Sequence, residues 1–342
     1  MTDQQWETLQ RIVHGEIVTP MPVGFIIDSP WLPNWCGISM LDYFTNDDLW
    51  LSANLKAINA FPEVMFLPGF WSEYGMCTEP SAFGVRCTFP RNEFPHAHKL
   101  LVPAEDIDRL PSPDPRIDGL LPFVLNRLKL AEPKINTAGH QIRFAVARGP
   151  LNVASFLMGT TEFLTTMMVQ PEKAESLLKK ITSFLADWIG LQIETFPSID
   201  GILLLDDIIG FVGEEEFLTF GLPYFKQLYG TGQSIRFLHN DAPCRASAPF
   251  LPEMGVNLFN MGFEISLNEL RTLTRNKITL LGNIPPRDVL AAGPRERVVD
   301  ETANLIQSLD QRSRVILSCG GGMPPGVTSE NIAAFVQTAR KS

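Results

Sequence analysis

Short apolar runs recur along the chain and alternate with longer amphipathic stretches. Val23-Gly24-Phe25-Ile26-Ile27 and Val64-Met65-Phe66-Leu67 come first; after residue 142 follow 144–147, 202–205, 235–238, 256–259, 278–281 and 315–317. Short continuous runs of this kind are the mark of parallel strands buried on both faces. Helical periodicity fills the intervals at 47–60, 151–168, 171–195, 213–229, 243–252, 266–275, 294–310 and 327–340. Strands alternating with helices predict a parallel sheet, and eight of them predict an α/β fold of the closed (β/α)8 TIM-barrel type. The rival, a doubly wound open sheet, lacks a Gly-rich dinucleotide loop after the first strand. Residues 1–20 predict a short N-terminal helix with Trp6, Leu9, Ile12 and Val13 on one face. Residues 69–140 are rich in proline and show the least regular pattern. They read as a long loop-rich insertion over the barrel mouth, so that 1–342 form a single domain.

Composition narrows the function classes. Lys plus Arg number 28 against 38 Asp plus Glu, a formal charge of -10, and no basic run offers a nucleic-acid footprint. No apolar run is long enough for a membrane span. The start, Met1-Thr2-Asp3-Gln4-Gln5, lacks the charged and apolar regions of a signal peptide. Five cysteines without tight spacing argue against a disulfide framework and for a cytoplasmic protein.

In a parallel barrel the ends of the strands share one rim, so candidate chemistry is sought there. The run 235–238 ends in His239-Asn240-Asp241. Residues two apart in an extended segment point to the same side, so His239 and Asp241 can turn to one ion. Glu264 and Cys319 follow later strands. An imidazole, two carboxylates and a thiolate form a tetrahedral zinc set. Taken singly, His239 reads equally as a core histidine and Cys319 as a buried free thiol. Asp206 and Asp207 close another run and point opposite ways, so at most one faces the pocket. That one is expected to join His239 in catalysis, and the alternative is a helix N-cap. Substrate contacts are expected from Asp28, Trp71, Tyr74, Arg148 and Asn283, all at or near strand ends or in the early aromatic loops. Core or lid packing is the plainer reading of those aromatics. The glycines at 320–322 suit close backbone approach to a ligand, but neither a P-loop nor a serine nucleophile elbow is present.

Several blocks, taken together, resemble the uroporphyrinogen decarboxylase superfamily over most of the chain beyond residue 95. They are Leu110-Pro111-Ser112-Pro113-Asp114-Pro115, Ala147-Arg148-Gly149-Pro150, Leu205-Asp206-Asp207, and Phe217 through Leu222-Pro223-Tyr224-Phe225. His239-Asn240-Asp241, Gly282-Asn283-Ile284-Pro285-Pro286 and Ile316 through Gly322 complete the set. The tetrapyrrole decarboxylases of that superfamily carry an N-terminal Arg-x-x-Gly-Arg motif. It is missing here, and the first 80 residues hold only Arg11 and Lys56 as basic residues.

The chain is also similar to the zinc methyltransferases of the superfamily that work with corrinoid proteins. Methylcobamide:coenzyme M methyltransferase and the O-demethylase methyltransferases are examples. In the thiol-methylating members zinc is held by a His-x-Cys pair, a later Glu and a final Cys. His239, Glu264 and Cys319 match three of these, whereas Asp241 replaces the first Cys. A carboxylate in place of a thiolate leaves zinc a stronger Lewis acid, suited to an oxygen or nitrogen leaving group. The resemblance therefore implies zinc-dependent transfer of a methyl group from a methoxy or similar small donor to the cobalt of a separate corrinoid protein. No corrinoid signature occurs in this chain. A decarboxylase of a smaller acid and a non-catalytic small-molecule-binding barrel are the competing readings. The oligomeric state is open, with a homodimer admitted.

Overall fold

The computed structural model describes residues 1–27, 30–101 and 104–341. Eight parallel strands form one sheet: β1 (Val23–Ile26), β2 (Val64–Leu67), β3 (Phe144–Arg148), β4 (Gly201–Leu205), β5 (Ile235–Asn240), β6 (Leu258–Met261), β7 (Thr279–Ile284) and β8 (Val315–Cys319). Their spatial order is β2-β1-β8-β7-β6-β5-β4-β3. The strands curl into the expected barrel architecture, with helices packed around them. Among the described residues β2 and β3 share no ladder, so the ring is a curled sheet rather than a fully hydrogen-bonded cylinder.

Period-two alternation sorts the strand side chains into two layers. Met65, Leu67, Phe144, Leu203, Phe237, Leu258, Leu281 and Ile316 face inward and form one buried cluster. Ala145, Leu204, Leu238, Phe259, Leu280, Leu317 and Cys319 face the other way and pack with the helices in the larger core. Each fully buried large apolar side chain contributes about 1.5–3 kcal/mol.

The inner cluster is closed from below by the helix Asp3–Val13, whose Trp6, Leu9, Ile12 and Val13 are buried against it. A capping box starts this helix: Thr2 accepts from the Gln5 amide and the Gln5 side chain accepts from the Thr2 amide. Trp6 meets Phe144 edge-on at 5.4 Å, and Phe144 in turn meets Phe237 at 6.3 Å. The same segment bridges the two sheet edges. Gln5 Nε2 donates to the carbonyl of Val64, the first residue of β2 (3.3 Å), while Met1 and Gln141, just before β3, exchange two hydrogen bonds. The inner residues of β2 and β3 therefore touch one hydrophobic interior although their backbones do not pair.

The region 69–140, expected to be irregular, contains more structure than its prolines suggest. A 17-residue helix spans Leu121–Thr137 and buries Val124, Leu125, Leu128 and Ile135 on one face. Pro122 lies in its first turn, where a missing N–H costs nothing. A short helix (Thr78–Ala82) and a two-stranded ribbon (Cys87–Thr88 with His96–Ala97) precede it. The helix expected over 151–168 is two helices, Pro150–Met158 and Thr160–Val169, interrupted at Gly159. That expected over 213–229 divides at Gly221, and 243–252 holds only a 3-10 turn and the start of one helical turn. No helix among the described residues is long and apolar enough to cross a membrane.

Candidate functional site

The inward alternation of β5 runs Ile235, Phe237, His239, so the strand ends with a buried imidazole above the dry interior. Asn260, the inward residue of β6 paired in register with His239, is fully buried beside it. His239 Nδ1 lies 2.8 Å from Asn260 Oδ1. Asn260 Nδ2 donates to the Leu281 carbonyl (2.7 Å) and the Cys319 carbonyl (3.4 Å). Those two acceptors fix which end of the amide faces the ring. In the neutral imidazole the hydrogen therefore sits on Nδ1, and Nε2 presents a lone pair to the mouth.

Asp207 Oδ1 lies 4.0 Å from that Nε2 and accepts a hydrogen bond from the Asp241 amide at 3.0 Å. One donor atom each from Asp207, His239 and Asp241 falls within 4.8 Å of the others. Burial raises the pKa of the Asp207 carboxyl; the nearby Asp241 adds to the rise and His239 opposes it. A tight turn delivers Asp241. Gly321 has φ +80°, and a Cβ there would lie 3.0 Å from Asp241 Cβ and Oδ2. Only glycine lets the loop after β8 pack so closely on that carboxylate.

Asp206 has a different job. It is fully buried, and its carboxylate accepts from the Leu151 (2.9 Å), Asn152 (3.1 Å) and Ile208 (3.1 Å) amides. Burial pushes its carboxyl up to about 8, against the pull of those amides. It thus caps the helix that starts at Pro150, not the later one near Gly213, and pins the loop that carries Asp207. Gly149 permits the approach, because a Cβ at that position would lie 2.4 Å from Asp206 Oδ2.

A cleft of about 300 Å³ opens beside Asp207 and His239. Trp71, Met76, Phe94, Phe156 and Ile208 form apolar walls, and Glu73 and Arg148 lie at its base. Arg148 is buried and doubly paired, to Glu73 at 2.7 Å and Glu79 at 3.2 Å. Its backbone amide also donates to Glu79 Oε1 (3.1 Å). Burial opposes its charge, but the two carboxylates more than offset that and raise its pKa.

The expected site residues therefore part company. His239 and Asp241 come together and Asp207 joins them, but Glu264 and Cys319 are not in that group. Glu264 lies in an exposed turn after β6. Cys319 falls on the outward phase of β8, where Ile316 and Ser318 take the inward positions, and its thiol points to the Gly321 carbonyl at 3.5 Å. Trp71 and Arg148 line the cleft. Tyr74 is turned to structural use, its hydroxyl accepting from the buried Arg127 guanidinium at 3.2 Å. Asn283 donates to the Gly262 (3.2 Å) and Ile265 (2.6 Å) carbonyls and shapes the loop after β6. Asp28 lies outside the described residues. Asn260 and the carboxylate partners of Arg148 escaped the sequence reading. The only signal for Asn260 was an amide at the end of the apolar run 256–259.

Two carboxylates and a fixed imidazole lone pair suit a divalent cation. The charge agrees: Glu73 and Glu79 already outnumber Arg148, and Asp207 and Asp241 add further negative charge at the same mouth.

A family model described as uroporphyrinogen decarboxylase (URO-D) matches residues 6–342. The uroporphyrinogen decarboxylase of Chloroherpeton thalassium is 26% identical over 271 residues, covering 75% of this chain and 74% of its own. That of Chlorobium chlorochromatii is 26% identical over 250 residues, 69% of each. A methyltransferase from Methanosarcina mazei superposes with a TM-score of 0.81 at 19% identity, over 97% of both chains. A B12-independent methionine synthase from Shewanella sp. W3-18-1 gives 0.57 at 11% identity, over 94% of this chain and 98% of that one. At such identities the two structures testify to the fold alone.

Proposed function

Because the chain belongs to the uroporphyrinogen decarboxylase family, we propose that it is a zinc-dependent methyltransferase of that family. It moves a methyl group between a small methylated substrate, favoured to be an aromatic methyl ether, and the cobalt of a separate corrinoid protein. One observation carries the reading. The mouth is acidic and apolar, and the arginine that lines it is already held by two carboxylates. Such a site attracts a cation and repels a polycarboxylate.

Asp207, His239 and Asp241 would hold the zinc, a revision of the His239, Asp241, Glu264 and Cys319 set. A zinc ion held there would supply Lewis acidity toward the heteroatom of the methyl donor. The chain's own residues do the rest. His239 offers Nε2 with its other nitrogen occupied. Asp206 fixes the loop that sets the Asp207 carboxylate. Trp71, Phe94 and Phe156 flank the cleft and shed water from an aromatic ring placed between them. Arg148 anchors Glu73 and Glu79 of the covering segment to β3, and so is not spent on an anionic substrate.

The names of the sequence relatives favour decarboxylation as a second reading. Two measurements separate them. Protein purified without chelator is expected to hold zinc near one per chain and to methylate a Co(I) corrinoid from a panel of methoxyarenes, read by the cobalt absorption change. It is expected to leave uroporphyrinogen untouched. A metal-free preparation that consumes uroporphyrinogen would sink the methyltransferase reading.

A further inference from the structure

We propose that Asn260 is a positioning residue for metal capture, holding His239 as its Nδ1–H tautomer so that Nε2 is a ready donor before any ion arrives. The proposal rests on the metal reading above but concerns a residue that no motif of the chain marks. Three hydrogen bonds carry it. The amide nitrogen of Asn260 is committed to carbonyls on β7 and β8, at 2.7 and 3.4 Å. The amide oxygen is thereby left to the ring, at 2.8 Å from Nδ1. Turning the amide over would set its oxygen against two carbonyl oxygens and lose both of those bonds, and its NH2 could reach the ring only as a donor to Nδ1 in the other tautomer. The residue is fully buried, so water is not at hand to replace them.

The geometry makes this more than core packing. A free neutral imidazole populates both tautomers, and the one with hydrogen on Nε2 cannot ligate through that atom. Asn260 removes that alternative. It also ties β6 to Leu281 on β7 and Cys319 on β8, so the ring is held against three strands at once. Cys319 thus enters the site through its backbone carbonyl, and its thiol lies in the outer layer. Gly321, two residues further on, packs against Asp241. The ligand on β5 and the loop that shapes its neighbour are in this way anchored to the same end of β8.

The test uses the full chain and zinc itself. The tautomer of His239 is read by 15N NMR on metal-free protein, and zinc affinity by competition with a chromophoric chelator. Wild type is expected to show hydrogen on Nδ1. Asn260→Ala is expected to show a mixture and a 10–100-fold weaker zinc affinity, the usual range for loss of an outer-shell partner. In a His239→Ala background the same change is expected to alter zinc affinity no further, since Asn260 acts through the ring. An equal loss in both backgrounds assigns Asn260 a merely structural role and overturns the proposal. So does Asn260→Ala protein with an unchanged tautomer. Asn260→Asp keeps an acceptor for Nδ1 but gives up the donors to Leu281 and Cys319; the protein that folds is expected to retain the Nδ1–H form. If wild type takes up no zinc, the metal reading fails on its own, and the metal-free NMR comparison still decides whether Asn260 sets the ring.

Discussion

The two ends of this barrel are built from the same strands by the same alternation, yet they share almost no chemistry. At the lower end the inward positions are Phe144, Leu203, Phe237, Leu258, Leu281 and Ile316, sealed by Trp6, Leu9, Ile12 and Val13. Two to four residues further along come Arg148, His239, Asn260 and the loop carboxylates Asp207 and Asp241. The lower end spends its surface on burial and needs little orientation. The upper end holds charge in a poorly solvated place, which is tolerable because Arg148 is paired with Glu73 and Glu79, Asp206 with three backbone amides and His239 with Asn260. Within the barrel interior apolar burial lies below and chemistry above, and the dry floor keeps the dielectric low under the candidate metal ligands.

Substitutions at each level can break that division. The largest expected effect is at the floor. Trp6→Ala removes an indole from the inner cluster and is expected to cost about 3–5 kcal/mol in urea unfolding, with zinc affinity unchanged in the protein that remains folded. Equal losses of stability and metal binding would show that the two ends are not separable. Arg148→Met tests the exception, a mouth residue with a structural role. It strands Glu73 and Glu79 without their cation and is expected to cost about 3–5 kcal/mol in the same measurement. A mild effect would mean that Arg148 is free to meet substrate after all.

Cys319→Ser is a smaller perturbation that sharpens the assignment at β8. The thiol belongs to the apolar outer layer, so a hydroxyl there is expected to cost about 1–3 kcal/mol of stability and to leave zinc binding as it was. Loss of zinc with stability intact would return Cys319 to the ligand set. The smallest effect concerns His140, which leads into β3 and packs edge-on against Phe70. Burial lowers its pKa from 6.5 to about 4. The unfolded chain therefore binds a proton that the folded one lacks, and stability falls as pH drops from 6.5 towards 4. Comparing Tm at pH 7 and pH 5, the wild type is expected to lose more than His140→Leu does.

Much of this arrangement was legible in the sequence, for a physical reason. Buried parallel strands must be apolar on both faces, and so the eight runs announce themselves without knowledge of register. The helix Leu121–Thr137 was hidden because Pro122 and Pro133 read as breaks, although its buried residues keep helical spacing. At the strand ends the limit is phase. Counting two residues from His239 leads to Asp241 on the same side, whereas an apolar run such as 315–319 gives no sign of which alternate set faces inward. There the alternation that carries Ile316 inward takes Ser318 with it and leaves the Cys319 thiol in the outer layer. Asp206 and Asp207 pose the same difficulty, settled only when the amides at 151, 152 and 208 are seen to claim one of the pair. Asn260 was invisible because its role comes from three neighbours distant in sequence.

The inward side chains of the strands, with the helix beneath them, fill the axis of the barrel from below. A molecule in the cleft beside Asp207 and His239 therefore has packed apolar side chains beneath it. A partner protein seated over that cleft, as the proposed function requires, would shut in whatever the cleft already held, and the order of binding would then be readable in steady-state kinetics.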